Sequence, residues 1–399
     1  MRYTLVIILL FFIYTVFAQD SLFKKKHFTA VDIETFYSYY SQDGDHSAVT
    51  GGIGTEKLHV HSAGFNVDVT TDTSHTIIVE TYIDAITSAS VDNINFVVSS
   101  ASYHDNHLSA HIGYQYSAKK KPFLIGGKYM FGMESDFLSH GISLWTSFGN
   151  KLQNRHFSLA IACFFDDLRW GRLSESTGYK PTTLIYPYEL RYKQWFDIYR
   201  RNSYNLNIGL RQDINRKLSM QLDLGFILQK GLISTSFHRI FFYDSDSGKV
   251  ENLPRRRLQF PVGFGLNYFL NPYLILKAYY SYYWDDIGIN AHAVNLELPV
   301  KINYQVSLYP FFRLYHQTAS IYFKPFSEHS VFDEFYTSDY DLSGFFSYKL
   351  GLGFGYYPDA RFGKSSWSFN NVVFRYAYYS RSDGLDAHML TFLLNFKKL

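Results

Sequence analysis

Apolar and polar residues alternate with a period of two along nearly the whole chain. From Leu218, one face carries Leu218, Met220, Leu222, Leu224, Phe226 and Leu228, and the other carries Ser219, Gln221, Asp223 and Gly225. Tyr204, Leu206, Ile208 and Leu210 alternate in the same way with Asn205, Asn207, Gly209 and Arg211. Leu108, Ala110, Ile112, Tyr114 and Tyr116 do so with Ser109, His111, Gly113, Gln115 and Ser117. Helical spacing would put these polar residues on the apolar face; a strand separates them. The runs predict strands at 31–40, 56–70, 74–87, 104–117, 122–134, 138–148, 155–166, 202–213, 218–230, 257–269, 273–285, 288–300, 303–316, 343–357, 367–381 and 385–398.

Many of these runs exceed the roughly 5–6 residues usual in soluble sheets. A tilted strand needs about 9–11 residues to cross the hydrocarbon of a bilayer. A charged or amide side chain at every second position cannot face a dry sandwich core without a partner for each. It can face the polar interior of a barrel. The fold expected is therefore all-β: one transmembrane antiparallel β-barrel of about sixteen strands, within a range of about 14 to 18. Short turns at 72–74, 119–122, 215–217 and 271–272 belong on the periplasmic side, and long segments at 41–55, 88–104, 168–201, 231–255 and 317–342 outside. An even count returns both termini to the periplasm, and dropping the weakest strand, 31–40, would break that parity.

Residues 5–17 are almost wholly apolar and follow a basic start, with Val16-Phe17-Ala18 as a small-residue cleavage signal. This reads as a secretory signal peptide over 1–18, cleaved near Ala18. A short periplasmic segment over 19–30 and the barrel over 31–399 complete the organisation. The destination expected is the outer membrane, with its lipid and its barrel-insertion machinery as partners. The Phe-rich last strand, with Phe392 and Phe396, is the kind of signal that machinery reads.

Composition fits this picture. Aromatic residues make up 19% of the chain, with 35 Tyr and 37 Phe, and Tyr suits the boundary between lipid and water. Mean hydropathy is −0.15, as expected when only alternate residues touch lipid. A net charge of +3 gives no electrostatic case for nucleic acid. Cys163 is the one cysteine, which rules out an internal disulfide and a Cys-based metal site.

Several strings resemble the bacterial family catalogued as domain of unknown function 3570, in its Bacteroidetes form. They are Tyr39–Lys57 (YYSQDGDHSAVTGGIGTEK), Ser99–Asp105 (SSASYHD), Gly231–Arg239 (GLISTSFHR), Tyr282–His292 (YYWDDIGINAH), Phe335–Ser343 (FYTSDYDLS) and Arg375–Gly384 (RYAYYSRSDG). The resemblance implies an outer-membrane barrel without an assigned activity. It also implies a setting beside exported flavin-transferase and thioredoxin-like redox proteins.

Those strings fall in the long loops or at the outer strand ends, and they are rich in Asp and His. Asp43, Asp45, His46, Asp105, His107, Asp285, Asp286, His292, Asp339 and Asp341 are the candidate ligands for a divalent cation. The competing reading is an acidic rim held by turns and by arginines such as Arg239, Arg313, Arg375 and Arg381. No other cofactor is expected. Ser47, Ser102 and Ser236, each near a His, allow a second class, a lipid or ester hydrolase or acyltransferase at the rim, but no G-x-S-x-G elbow is present. The leading class is a porin-like channel or surface-binding barrel. About sixteen strands would enclose a lumen wide enough for water, while inward Arg313, Tyr315, Arg375 and Tyr379 are equally compatible with a constricted or filled interior.

Overall fold

The computed structural model describes residues 29–86, 105–119, 121–134, 138–168, 199–235, 238–358, 360–361 and 366–398. In chain order the strands are β1 (Thr29–Gly44), β2 (Glu56–Thr71), β3 (His75–Ile86), β4 (Asp105–Ser117), β5 (Phe123–Met133), β6 (Leu138–Gly149) and β7 (Arg155–Asp167). Next come β8 (Arg200–Asp213), β9 (Leu218–Gly231), β10 (Arg239–Phe242), β11 (Ser245–Val250), β12 (Arg256–Asn271), β13 (Leu274–Asp285) and β14 (Asn290–Glu297). The last are β15 (Val300–Lys301), β16 (Val306–Gln317), β17 (Phe345–Tyr356), β18 (Ala360–Arg361), β19 (Trp367–Arg381) and β20 (Asp386–Lys398).

Every neighbouring pair in the main sheet is antiparallel, and β1 pairs with both β2 and β20. The sheet thus closes on itself. β15 prolongs β14 against β16 and β18 prolongs β17 against β19, so the wall is sixteen strands around. This matches the number and parity expected from the alternation. The run over 288–300 is the exception, because the structure divides it. Leu298 N still reaches Pro310 O at 3.0 Å, but Pro310 has no N–H to return and the ladder lapses until Val300.

The outward face is apolar. Ile112, Ile142, Leu144, Leu350 and Leu352 are each exposed by half or more. In water each such side chain would forgo roughly 1.5–3 kcal/mol of burial; hydrocarbon removes that penalty. Polar groups on this face come as matched pairs. Tyr hydroxyls meet imidazole Nδ1 atoms in Tyr37–His61 at 2.7 Å, Tyr129–His140 at 2.6 Å, Tyr280–His292 at 2.7 Å and Tyr376–His388 at 2.8 Å. In all four the imidazole stands near the long-loop end of its strand. An amphipathic ring with a satisfied polar tip is the type of group that tolerates the membrane boundary.

The long loops at that end are folded structures. β10 and β11 form a hairpin outside the barrel wall, and its Phe242 bridges to His329 in the 318–344 loop. Asn252 and Tyr336 exchange backbone hydrogen bonds at 3.1 and 2.8 Å. Ile240, Phe242 and Tyr336 make a small apolar core there, with Val331 packed on it. The β1–β2 loop joins them through Gly52, whose φ is +86° and whose Cβ position lies 2.8 Å from Ser338 O. Only glycine supplies both the left-handed backbone and the clearance.

Candidate functional site

Alternation on β13, β14, β16, β17 and β19 sends Lys277, Glu297, Arg313, Lys349 and Arg375 into the lumen, where they line a cavity of about 500 Å³. The aromatic Tyr279 and Phe311 line it as well. Glu297 is the one carboxylate among those lining residues, and it serves two of the cations. Its oxygens lie 2.5 Å from Arg375 Nη2 and 3.3 Å from Lys277 Nζ. Arg375 also lies 4.6 Å above the Phe311 ring. Asp223, close by, is taken up by the Tyr279 hydroxyl at 3.0 Å and Gln221 at 2.7 Å.

That leaves Arg313 and Lys349. The register sets them directly opposite each other on β16 and β17. Among the described residues neither is in an ion pair with a carboxylate, and Arg313 Nε is buried without a hydrogen bond. The Arg313 guanidinium leans on the Tyr315 ring at 5.4 Å. Two like charges facing across a strand pair repel, and an anion between them would relieve both the repulsion and the unmet donor.

A second recess of about 200 Å³ lies between β4 and β9 on another part of the wall, lined by His107, Glu134, Ser139, Asp166, Arg201 and Gln229 among others. Its charges are matched. Arg201 stands opposite Asp166 and bonds it at 2.8 Å through Nη2, while Ser139 Oγ donates to the same carboxylate at 2.7 Å. Nearer β1, the inward Glu80 is held by Lys128 at 3.0 Å and His111 at 2.8 Å.

In the folded loops, His238, Glu251 and Asp339 bring an imidazole and two carboxylates together. Burial alone would lower the His238 pKa, but Asp339 and Glu251 override it and raise it to about 9. Burial raises Asp339 in turn to about 7, with Asp341 and Glu251 adding to the shift. On the outer side of the same loops, Asp333 is held down at about 2 by the hydrogen bond from Lys324, with His329 and the Ser330 N–H assisting.

The ten candidates from the sequence do not converge. Asp43 faces outward and pairs with Lys57 at 3.0 Å. Asp45 lies beside Gly384, and His46 stacks on Tyr340 with centroids 3.7 Å apart while its Nδ1 bonds Gly52 O. Asp105 opens β4 opposite Ile86, its side chain outside the described residues. His107 sits in the smaller recess, 3.8 Å from Glu134. Asp285 is fully buried against Arg257 at 2.6 Å, Asp286 accepts the Leu258 N–H, and His292 is on the outer face with Tyr280. Asp341 binds Arg381 at 2.6 Å. Among the described residues, Asp339 is the one candidate that joins a three-residue ligand-like cluster, with His238 and Glu251. Glu251 carries no sequence signal, since it simply follows the β11 strand. Of the serines, Ser102 and Ser236 lie outside the described residues, and the His46 next to Ser47 is engaged with Gly52 and Tyr340.

No curated protein matches the sequence. Among solved structures, the chain is similar to Pseudomonas aeruginosa OpdK with vanillate, at 8% identity and TM-score 0.38, over 92% of this chain and 98% of that one. It is also similar to OccAB3 of Acinetobacter baumannii, at 10% identity and TM-score 0.42, over 92% and 99%. A bacterial polysaccharide outer membrane secretin gives 8% identity and TM-score 0.46, over 92% and 97%. The family described as "Protein of unknown function (DUF3570)" matches residues 12–388, and the chain, matched over nearly its whole length, belongs to that family.

Proposed function

We propose that the protein is a porin-like outer-membrane channel whose lumen wall holds small anionic solutes, those bearing a carboxylate or phosphate group. One observation carries the reading: Arg313 and Lys349 face each other in the lumen with no carboxylate between them. Sixteen strands enclose a space wide enough for water, and the apolar exterior suits lipid. Charge-assisted contacts to an anion are stronger than neutral ones, while Phe311 and Tyr279 offer apolar contact to the rest of the solute. The unmatched cations favour entry of anions over cations without closing the path to either.

The test is a planar-bilayer recording of the refolded full chain under a salt gradient. Its reversal potential should show anion preference, and millimolar citrate or phosphate should reduce the current. The double substitution Arg313→Glu with Lys349→Glu should move the preference toward cations and remove the block. Silence at all voltages from a barrel that still shows the boiling-dependent gel shift sinks the proposal.

A further inference from the structure

We infer that His238, Glu251 and Asp339 form a binding site for one divalent transition metal, Zn²⁺ first, which clips the β9–β12 loop to the β16–β17 loop. The site is separate from the lumen cavity and does not depend on the channel reading.

The distances carry it. His238 Nδ1 lies 3.4 Å from Asp339 Oδ2 and 3.7 Å from Glu251 Oε1. Hydrogen-bonded nitrogen and oxygen sit at roughly 2.7–3.2 Å, so neither contact is one. Nδ1 is buried and has no hydrogen-bond partner among the described residues, and the residue is 6% exposed. The three ligand atoms all lie within 4.8 Å of one another. Around a tetrahedral metal with bonds near 2.0–2.1 Å, neighbouring donors stand about 3.3–3.5 Å apart. The 3.4 Å separation matches an edge of such a polyhedron, and the 3.7 Å one exceeds it by a few tenths of an ångström.

The carboxylates are held in place from behind. Glu251 Oε1 accepts from the Thr337 hydroxyl at 2.5 Å and Oε2 from the Thr235 N–H at 2.7 Å. Asp339 Oδ1 accepts the Asp341 N–H at 2.9 Å, which leaves Oδ2 turned toward the imidazole. Fixing the far side of each ligand is what outer-shell groups do at metal sites. One nitrogen and two carboxylate oxygens suit Zn²⁺ or Mn²⁺; an all-oxygen preference such as that of Ca²⁺ is poorly served by the imidazole. Three protein donors leave a fourth position for water.

The experiment uses the full chain folded in detergent, free of any polyhistidine tag, stripped with EDTA and titrated with Zn²⁺, Mn²⁺ or Ca²⁺. One equivalent of Zn²⁺ should remain after desalting. His238→Ala and Glu251→Gln should each weaken it beyond the roughly 10–100-fold that loss of an outer-shell partner costs. Replacing the exterior His61, His140 and His292 by Gln should leave it unchanged. Zn²⁺ should also slow protease cleavage within 231–255 of the unsubstituted protein at least tenfold, and EDTA should restore cleavage. No stoichiometric Zn²⁺, equal retention by a His238→Ala barrel that keeps its gel shift, a preference for Ca²⁺, or protection indifferent to chelator would each overturn the inference.

Discussion

Arg201 and Arg313 occupy the same kind of place, a lumen-facing position opposite a charged residue on the next strand, and they are treated in opposite ways. Arg201 faces Asp166, and the pair is nearly closed off, with side chains 10% and 4% exposed. Arg313 faces Lys349. At the first site burial is tolerable because the charges cancel and Ser139 donates a further hydrogen bond. At the second no carboxylate among the described residues cancels them. Stability cannot explain Arg313 and Lys349, since an opposed like pair costs free energy. The contrast separates a part of the wall that is built to hold together from a part whose incompleteness points to a ligand.

The largest effect is expected when the matched site is given the defect of the unmatched one. Asp166→Asn keeps the shape and a hydrogen-bonding side chain but leaves Arg201 buried without a counter-charge. Breaking one half of a buried pair costs about 3–5 kcal/mol. The urea midpoint of the detergent-folded barrel should fall accordingly, with the Arg201→Met/Asp166→Leu double variant recovering much of the loss. An unfolding free energy within about 0.5 kcal/mol of the parent's would mean that water reaches Arg201 and that the two sites differ less than their geometry shows.

Period-two alternation made the strands legible because each side chain's face is decided locally, by lipid on one side and polar groups on the other. The same rule put Arg313 and Arg375 inside. It could not show that Lys349 stands opposite Arg313, because register follows from how strands align and not from either strand alone. Nor could it show the loop β10–β11, where no face touches lipid and the alternation carries no meaning. The Asp- and His-rich strings marked the correct end of the molecule but not the partners. Asp285, Asp341 and Asp43 are spent on Arg257, Arg381 and Lys57. Glu251 became visible only when folding brought it to His238 and Asp339.

A smaller effect, of opposite sign, is expected at the unmatched site. Lys349→Met keeps the length of the side chain, removes one of two opposed cations and leaves Arg313 to the Tyr315 ring. Relief of a like-charge cross-strand pair is worth about 0.2–1 kcal/mol, so the urea midpoint should stay level or rise while anion block weakens. A clear loss of stability would show that Lys349 has a counter-charge in the folded barrel, and the reading of this wall as unfinished would fail.

The smallest effect belongs to a third arrangement, paired but wet. Asp333 bonds Lys324 Nζ at 2.8 Å and His329 Nδ1 at 3.1 Å, yet its side chain is 28% exposed and that of Lys324 43%. Its carboxyl is depressed from 3.8 to about 2, first by Lys324. A depressed acid contributes stability above its unfolded value, and the contribution goes as pH falls through the folded one. Protease cleavage in the 318–344 loop should therefore show a rise between about pH 4 and 2 that belongs to Asp333. Solvent screening keeps the gain from such a pair small, and Asp333→Asn should remove that rise while hardly moving cleavage at pH 7. If instead Asp333→Asn loosened the loop at pH 7 as much as Asp166→Asn weakens the barrel, burial would not be what separates strong pairs from weak ones in this protein. The ranking of Arg201, Arg313 and Lys324 by their surroundings would then have to be abandoned.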